Sequence, residues 1–464
     1  MRRVMPGIIP YLLLFVVLLS AEMVVEAEDL SFVRAVQLAE ERSEILLLQK
    51  NAVKRAGLAV AEARSRLGPE LTFEAAGGYM AFPPEGVSVR VGELGMIILD
   101  PEPPPVTYPI PDEDLIFIED ARNTFFELSL QLRQPLYTWG KLQSSVQLAG
   151  LGLEMSRVEL AERKRQVRQD LHAAYYSGVM ARDSLVLLRQ ILDILGEIEE
   201  DRKRAYELGS VNRLSVLEIQ SQISEARRWI VQAEQAYASS LQAIALYTDL
   251  EPESVQLSTE FRRDPPRRSE VELKESALKS SPSLKKARLD QERARANLKL
   301  IRGGANLRPD LSLNLSFEVS GQTIPWTETD WQDNWDLNLI AGVGTGGSLF
   351  DSGRSRHQLR QAEEAMTASQ LTIDLLRKQI RLQTRRAFET LQLRWAELEE
   401  ARAAVAMAAE EGKNASRAFE QQLFTREQWG MARFGLLHKR LALLQREHSF
   451  ELALYELESL AGFP

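Results

Sequence analysis

The sequence predicts an internally duplicated fold of mixed α and β, with four bilayer-spanning strands per chain carried on long coiled-coil helices. Three observations point to it. First, Gln134-Pro135-Leu136-Tyr137-Thr138-Trp139-Gly140-Lys141 returns as Gly347-Ser348-Leu349-Phe350-Asp351-Ser352-Gly353-Arg354, an offset of 213. The same offset carries Ala205-Tyr206-Glu207 to Ala418-Phe419-Glu420 and Arg213 to Arg426 without a gap. Second, four segments alternate apolar and polar residues with a period of two. Third, no proline falls between Gly140 and Pro252, which leaves room for helices far longer than a globule can bury.

Taken in order, the chain opens on Arg2 and Arg3, an apolar run from Ile8 to Leu19, and small-residue patterns at Leu19-Ser20-Ala21 and Val25-Glu26-Ala27. That is the layout of a secretory leader over residues 1–27. The run is shorter than the roughly 20 residues a membrane helix needs, and no later stretch reaches 18 apolar residues. A first repeat is expected over 28–267 and a second over 268–464, each reading helix, strand, loop, strand, long helix, tip, return helix. Leu67-Gly68-Pro69-Glu70-Leu71 matches Leu307-Arg308-Pro309-Asp310-Leu311 at the strand starts.

The strands follow from alternation. Leu71, Phe73 and Ala75 face one way, against Thr72, Glu74 and Ala76. Phe126, Leu128, Leu130 and Leu132 alternate with Glu127, Ser129, Gln131 and Arg133. In the second repeat the strands fall at 309–320 and 336–345. There Leu311, Leu313, Leu315, Phe317 and Val319 alternate with serine, asparagine and glutamate, and Leu337, Leu339, Ala341 and Val343 more loosely with polar residues and glycine. Each strand is about the length that crosses a bilayer when tilted. The loop 83–120 is proline-rich and carries apolar runs at Met96–Leu99 and Leu115–Ile118; its counterpart, 321–335, carries Trp326, Trp331 and Trp335.

Helices are expected over 141–207, 213–250, 269–302 and 354–420. Ala174, Gly178, Ala181, Leu185, Leu188, Leu192 and Leu195, spaced by four and three, form a coiled-coil seam. Tips lie at 206–217 and 419–430. Pro135, Gly140 and Gly353 mark the strand-to-helix turns.

Four strands cannot close a barrel, and an open edge in lipid leaves backbone groups unsatisfied at several kcal/mol each. Spanning strands of this kind therefore require sister chains, with polar faces lining a water-filled lumen. In this duplicated order the chain resembles the TolC-like outer membrane efflux proteins, over roughly residues 29–463. The carrying residues are the strand starts at Leu67–Leu71 and Leu307–Leu311, the strand exits at Pro135–Lys141 and Leu349–Arg354, and the tip Tyr206–Leu217. The resemblance implies a homotrimer with a twelve-stranded barrel in the outer membrane and a periplasmic helical barrel. It also implies a passive conduit for efflux or type I secretion, docked by a periplasmic adaptor and an inner-membrane transporter. On that resemblance Tyr206, Gly209, Arg213, Leu214 and Ser215 form the docking tip, with Phe419, Leu423 and Arg426 as its second-half counterpart. Gln422 stands where the first tip has Gly209, so the second turn is expected to differ in shape. At the entrance positions stand Ser215, Glu218, Gln428 and Met431; Glu218 alone is acidic, which argues against a cation-binding ring.

Other chemistry finds little support. The net charge of -9 disfavours a nucleic-acid partner. Without cysteine there is no thiol nucleophile, disulfide or lipid-anchored N-terminal Cys. Gly342-x-Gly344-x-x-Gly347 fits a dinucleotide fingerprint by letters, but the helix after it is several times too long for a βαβ unit. His172, His357, His438 and His448 show no ligand spacing, and no nucleophile elbow is present, so neither metal, cofactor nor enzymatic activity is expected. The run Glu197-Glu199-Glu200-Asp201 reads as a solvated helix face. The competing class is a periplasmic adaptor, also exported and coiled-coil. It would carry one hairpin between split β-domains rather than two copies with amphipathic strands.

Overall fold

The computed structural model describes residues 28–89, 91, 113–118, 122–262, 264, 268–304, 308–323, 335–346 and 350–463. The expected leader, the Met96–Leu99 run, Trp326, Trp331, Leu307 and Gly347 lie outside them. The chain runs β1 (Glu28–Leu30), α1 (Phe32–Arg42), α2 (Glu44–Ser65), β2 (Glu70–Tyr79), β3 (Val87–Val89), β4 (Leu115–Ile118) and β5 (Thr124–Tyr137). Then come α3 (Lys141–Glu207), α4 (Arg213–Thr248), a 3₁₀ turn (Pro252–Ser254), β6 (Val255–Leu257), α5 (Glu270–Ser280) and α6 (Pro282–Gly304). The second half ends with β7 (Asp310–Gly321), β8 (Trp335–Gly346), α7 (Arg354–Glu420) and α8 (Arg426–Ala461).

Both long helices have 67 residues and both return helices 36, each pair displaced by 213. At about 1.5 Å per residue the long ones each measure roughly 100 Å. The backbone repeats more deeply than helix lengths. The described residues with left-handed φ are Trp139, Gly140, Gly209, Asp249, Ser352, Gly353, Gln422 and Gly462. They form four pairs, every one separated by 213. Identity is poorly kept within those pairs, so position in the turn, not residue type, is what repeats.

The helix expected over 269–302 is two helices. Ser281 leaves the helical region at ψ 117, because Pro282 excludes α geometry from the residue before it. The first half breaks the same way at Ser43, ψ 118, with Glu44 in place of proline. There the break rests on packing: Leu38, Ala39 and Leu46 on either side are buried.

Two compact units cut across the repeats. One comprises residues up to Ala56, Leu153–Asp290 and Ser369 onward; the other comprises Gly57–Gly152 and Gln291–Ala368. In the first, Ile219 and Ile223 of α4 and Leu437 of α8 pack on α3 through Leu188, Ile191, Ile194, Leu195 and Ile198. The α3 seam thus runs through 181, 184, 188, 191, 195 and 198, where side chains are buried. The expected seam holds at Ala181, Leu188 and Leu195, while Leu185 and Leu192 are only half-buried. Close approach at Gly178 is real: a Cβ there would lie 2.5 Å from Ser240 Oγ.

The second unit holds the four-stranded sheet, ordered β2-β5-β7-β8 and antiparallel throughout. Strands β3 and β4 form a separate antiparallel pair, so Leu115–Ile118 of the long loop is a short strand. Pro135 lies inside β5 rather than in the turn after it, at the register shift between Pro135 and Tyr137. A bulge tolerates the missing N–H there.

Candidate functional site

The sheet sorts its residues by face with little error. Leu71 pairs with Leu132, Phe73 with Leu130 and Ala75 with Leu128. Leu132, Leu130 and Leu128 then pair with Leu315, Phe317 and Val319, and these with Ala341, Leu339 and Leu337. Directly opposed residues share a face, so one face is apolar across all four strands. On the other, Glu74, Ser129, Glu318 and Asn338 form one row, and Thr72, Gln131, Ser316 and Ile340 the next. Ile340 is the one apolar intruder in these rows. The apolar face is not covered by the chain: Leu71 and Leu339 are each 65% exposed and Leu128, Leu130 and Leu132 half-buried, while on the polar face Glu74, Gln131 and Asn338 are exposed and Ser129 and Ser312 buried. Strands β2 and β8 are the two edges, each paired on one side among the described residues. Aromatic residues sit at both ends of the strands. Tyr137 and Trp139 meet edge to face at 5.0 Å at one, and Phe126 stacks on Trp335 at 6.3 Å at the other.

The strand-to-helix turns use two successive left-handed residues each, Trp139-Gly140 and Ser352-Gly353. Lys141 N donates to Thr138 O at 2.9 Å, and Arg354 N to Asp351 O at 3.1 Å. These are primed turns, which favour glycine at their second central position. The first is pinned by Trp139 Nε1 donating to Pro309 O at 3.0 Å and by Lys141 Nζ 2.6 Å from Asp310.

The two tips are congruent, contrary to the expected difference. Gly209 N donates to Tyr206 O and Ser210 N to Ala205 O; Gln422 N donates to Phe419 O and Leu423 N to Ala418 O. Both are Schellman closures, with φ +71 at Gly209 and +59 at Gln422. The i→i−3 and i→i−5 bonds fix the turn, so Gln422 takes the left-handed geometry at a steric cost. Asn212 and Thr425 then cap the return helices.

Side chains set the tips apart. Phe419 stacks on Trp429 at 4.9 Å, and Trp429 Nε1 donates to Ser416. Tyr206 has no such brace, since Val216 occupies the place of Trp429. Tyr206, Leu214 and Leu423 are exposed, as is Arg213; Ser215 contributes its carbonyl to an Arg202 hub.

That hub was not legible in the sequence. Arg202 Nη2 donates to Glu427 Oε1 at 2.8 Å and Nη1 to Ser215 O at 2.8 Å, with Glu218 at 3.8 Å. Arg433 lies 3.4 Å from Glu197, while Arg426 lies 4.0 Å from Glu197 and 3.9 Å from Asp201. Hydrogen bonds from Lys203 and Gln220 hold the Glu199 carboxyl below the usual range. Glu197, Glu199 and Asp201 therefore cross-link α3 to α4 and α8, while Glu200 stays on the solvated face, 70% exposed and paired with Arg204 of its own helix. The cross-linking partners lie up to 236 residues away, beyond any local pattern.

Farther along α3 lies a second polar cluster. His172, 2% exposed, donates through Nε2 to Glu451 Oε1 at 3.1 Å, and Glu451 is 0% exposed. Arg262 reaches Glu451 by its backbone N at 3.1 Å and Nε at 2.9 Å, and Glu458 by Nη1 at 2.8 Å. Burial lowers the His172 pKa more than Glu451 raises it, so the imidazole is neutral. Burial alone would raise the Glu451 carboxyl, but hydrogen bonds from His172 and Arg262 outweigh it and hold it low.

An exposed apolar sheet face, a polar opposite face and unclosed edges, joined in one chain to duplicated helical hairpins, define a membrane-embedded pore-forming class of protein. Comparison with known proteins agrees. The family model described as outer membrane efflux protein matches residues 35–248 and 273–463. The chain belongs to that family. It is similar to the outer membrane efflux protein BepC of Brucella suis biovar 1 (strain 1330), 23% identical over 346 residues, 72% of each chain. In structure it resembles the outer membrane protein VceC of Vibrio cholerae, with a TM-score of 0.69 and 16% identity over 93% of this chain and 96% of that one. It likewise resembles the Campylobacter jejuni CmeC outer membrane channel, with a TM-score of 0.70 and 14% identity over 93% and 85%. The chain is thus an efflux channel of the outer membrane, and the adaptor alternative falls away.

Proposed function

We propose that three copies of this chain close into one exit duct of a tripartite efflux or type I secretion system. The observation that carries the proposal is the register-matched apolar face on an open sheet. Twelve residues of β7 at about 3.3 Å each, tilted about 40°, rise roughly 30 Å, enough for the apolar band of an outer-membrane barrel. Three antiparallel steps make β2 and β8 run in opposite directions, so β8 of one copy pairs antiparallel with β2 of the next. Four strands per copy then give twelve, the number of copies coming from the family resemblance. Polar rows such as Glu74-Ser129-Glu318-Asn338 line the lumen, and the hairpins extend it into the periplasm.

In this reading residues 1–27 are the leader, 28–267 and 268–464 the two repeats, and the conduit is passive. Tyr206, Gly209, Arg213, Leu214, Ser215, Phe419, Leu423 and Arg426 meet the adaptor, with an inner-membrane transporter supplying energy. Gating lies at the tips, where the Arg202 hub holds Glu427 against the Ser215 turn and Glu218 lies at the entrance. Conductance of the purified full chain in planar bilayers tests this. Small, stable conductance is expected from the wild type, and larger conductance from Arg202→Ala. Absence of any conductance from folded, bilayer-inserted protein would remove the duct reading. Gly209→Pro, which cannot adopt positive φ, should abolish export while leaving oligomers in the membrane.

A further inference from the structure

Within one chain the helices of the hairpins stand in the order α4, α3, α8, α7. Helix α3 packs on α4 and α8 in one cluster, and α8 packs on α7 in another. The ends of this row, α4 and α7, are the partners of α8 and α3 under the 213-residue offset. A ring built by repeating the row sets α7 of one copy against α4 of the next. Because both helices keep the lengths of their counterparts, with both ends displaced by 213, the α3–α8 seam supplies the register of that contact.

We infer that a second copy of this chain docks with its α4 against α7, in the antiparallel register of the internal α3–α8 seam, through three apolar rungs and one ion pair. In the seam Gln169 Nε2 donates to Ser459 Oγ at 2.7 Å. The offset turns that pair into Leu382 and Leu246. Met180 and Leu444 lie in one core cluster; their counterparts are Leu393 and Val231. A Cβ on Gly430 would lie 3.2 Å from Ile198 Cδ1 and 3.9 Å from Ile194 Cγ2; the counterparts are Leu217 facing Glu411 and Met407. Glu411 apart, the six counterparts are large apolar side chains, 48 to 70% exposed in the single chain. Side chains that the interior seam would bury thus lie bare on the two outer helices, on matching rungs. Glu197 and Arg426, 4.0 Å apart, become Glu410 and Arg213, which keeps the signs of charge. The Arg202–Glu427 bridge has no equivalent, because Ala415 and Leu214 stand in its place.

This seam rests on the ring-closed duct of the preceding section and adds the residues that meet. The full chain has no cysteine, so introduced pairs have no background. Leu246→Cys with Leu382→Cys, and Leu217→Cys with Met407→Cys, are matched pairs; Leu246→Cys with Met407→Cys is mismatched. Gln169→Cys with Ser459→Cys closes within one chain and is the positive control. After mild oxidation of detergent-extracted protein, matched pairs should give a covalent multimer ladder on non-reducing denaturing gels, at least tenfold above the mismatched pair. If a matched variant fails to assemble, Val231→Cys with Leu393→Cys replaces it. Ladders no stronger from matched than mismatched pairs, in oligomeric and conducting protein, overturn this seam and leave the duct standing. A wild type that is monomeric and non-conducting overturns both.

Discussion

The first long helix and the second share a backbone, turn for turn, yet differ in what they bury. Around its midpoint α3 holds His172 against Glu451 of α8, with Arg262 closing the cluster. The offset gives His172 the counterpart Arg385 on α7 in the second half and Glu451 the counterpart Ala238 on α4 in the first. Arg385 is exposed and pairs along its own helix with Glu389 at 2.8 Å. The comparison teaches that turn geometry sets the backbone of a repeat, while side chains decide which copy becomes interior and which becomes edge. A duplicated chain can keep one architecture and still assign its two halves different neighbours.

The sharpest way to break this comparison is to remove one buried carboxylate and one exposed one. Glu451→Ala should cost about 3–5 kcal/mol, because it leaves the His172 Nε2 and the Arg262 backbone N without an acceptor and the Arg262 guanidinium with Glu458 alone. Glu389→Ala should cost less than about 0.5 kcal/mol. Denaturant midpoints of the detergent-extracted protein measure both; equal losses would erase the distinction between the helices. Next in size is the contrast between sheet faces. Leu339→Arg on the apolar face should destabilise by about 2–4 kcal/mol, while the neighbouring Asn338→Arg should be near neutral. The fraction of folded, heat-modifiable protein reports the difference.

Acid should also report on the buried cluster. His172 has a folded pKa below its ordinary value, so its contribution is fully present above about pH 6.5 and is lost as pH falls through the folded value. Glu451, also depressed, adds a second loss below about pH 4.5. Stability should therefore fall on acidification below about pH 6.5, by at most about 1.4 kcal/mol per pH unit for each proton taken up. His172→Gln should flatten the first part of that slope. The smallest effect is at the tips: Gln422→Gly should stabilise by about 1 kcal/mol, and Gly209→Gln should destabilise by about as much. Opposite signs at congruent positions would confirm that the turn, not the residue, is what repeats; the same midpoints measure it.

Much of the architecture was legible because it is written in local periods. Alternation from Leu71 to Ala75 and from Leu311 to Val319 set both strand and face, since register pairs like with like. The absence of proline after Gly140 bounded α3 to the residue. Three things were not legible, each for a physical reason. The break at Ser43 carries no proline and depends on what Leu38 and Leu46 pack against. The phase of the α3 seam was read through Leu185 and Leu192, whereas Ile191 and Ile194, on the adjoining face, are the buried residues, and spacing alone does not separate two apolar faces that adjoin. The Arg202 hub and the Glu451 cluster join residues 225 and 279 apart in sequence, and no period connects them.

Native mass spectrometry of the detergent-extracted full chain, beside its behaviour without detergent, tests the central claim most directly. Three copies in one particle, insoluble once detergent is withdrawn, is the predicted result. A single chain that stays dissolved and folded in plain buffer, its leucine-faced sheet shielded from water by its own helices, would contradict it.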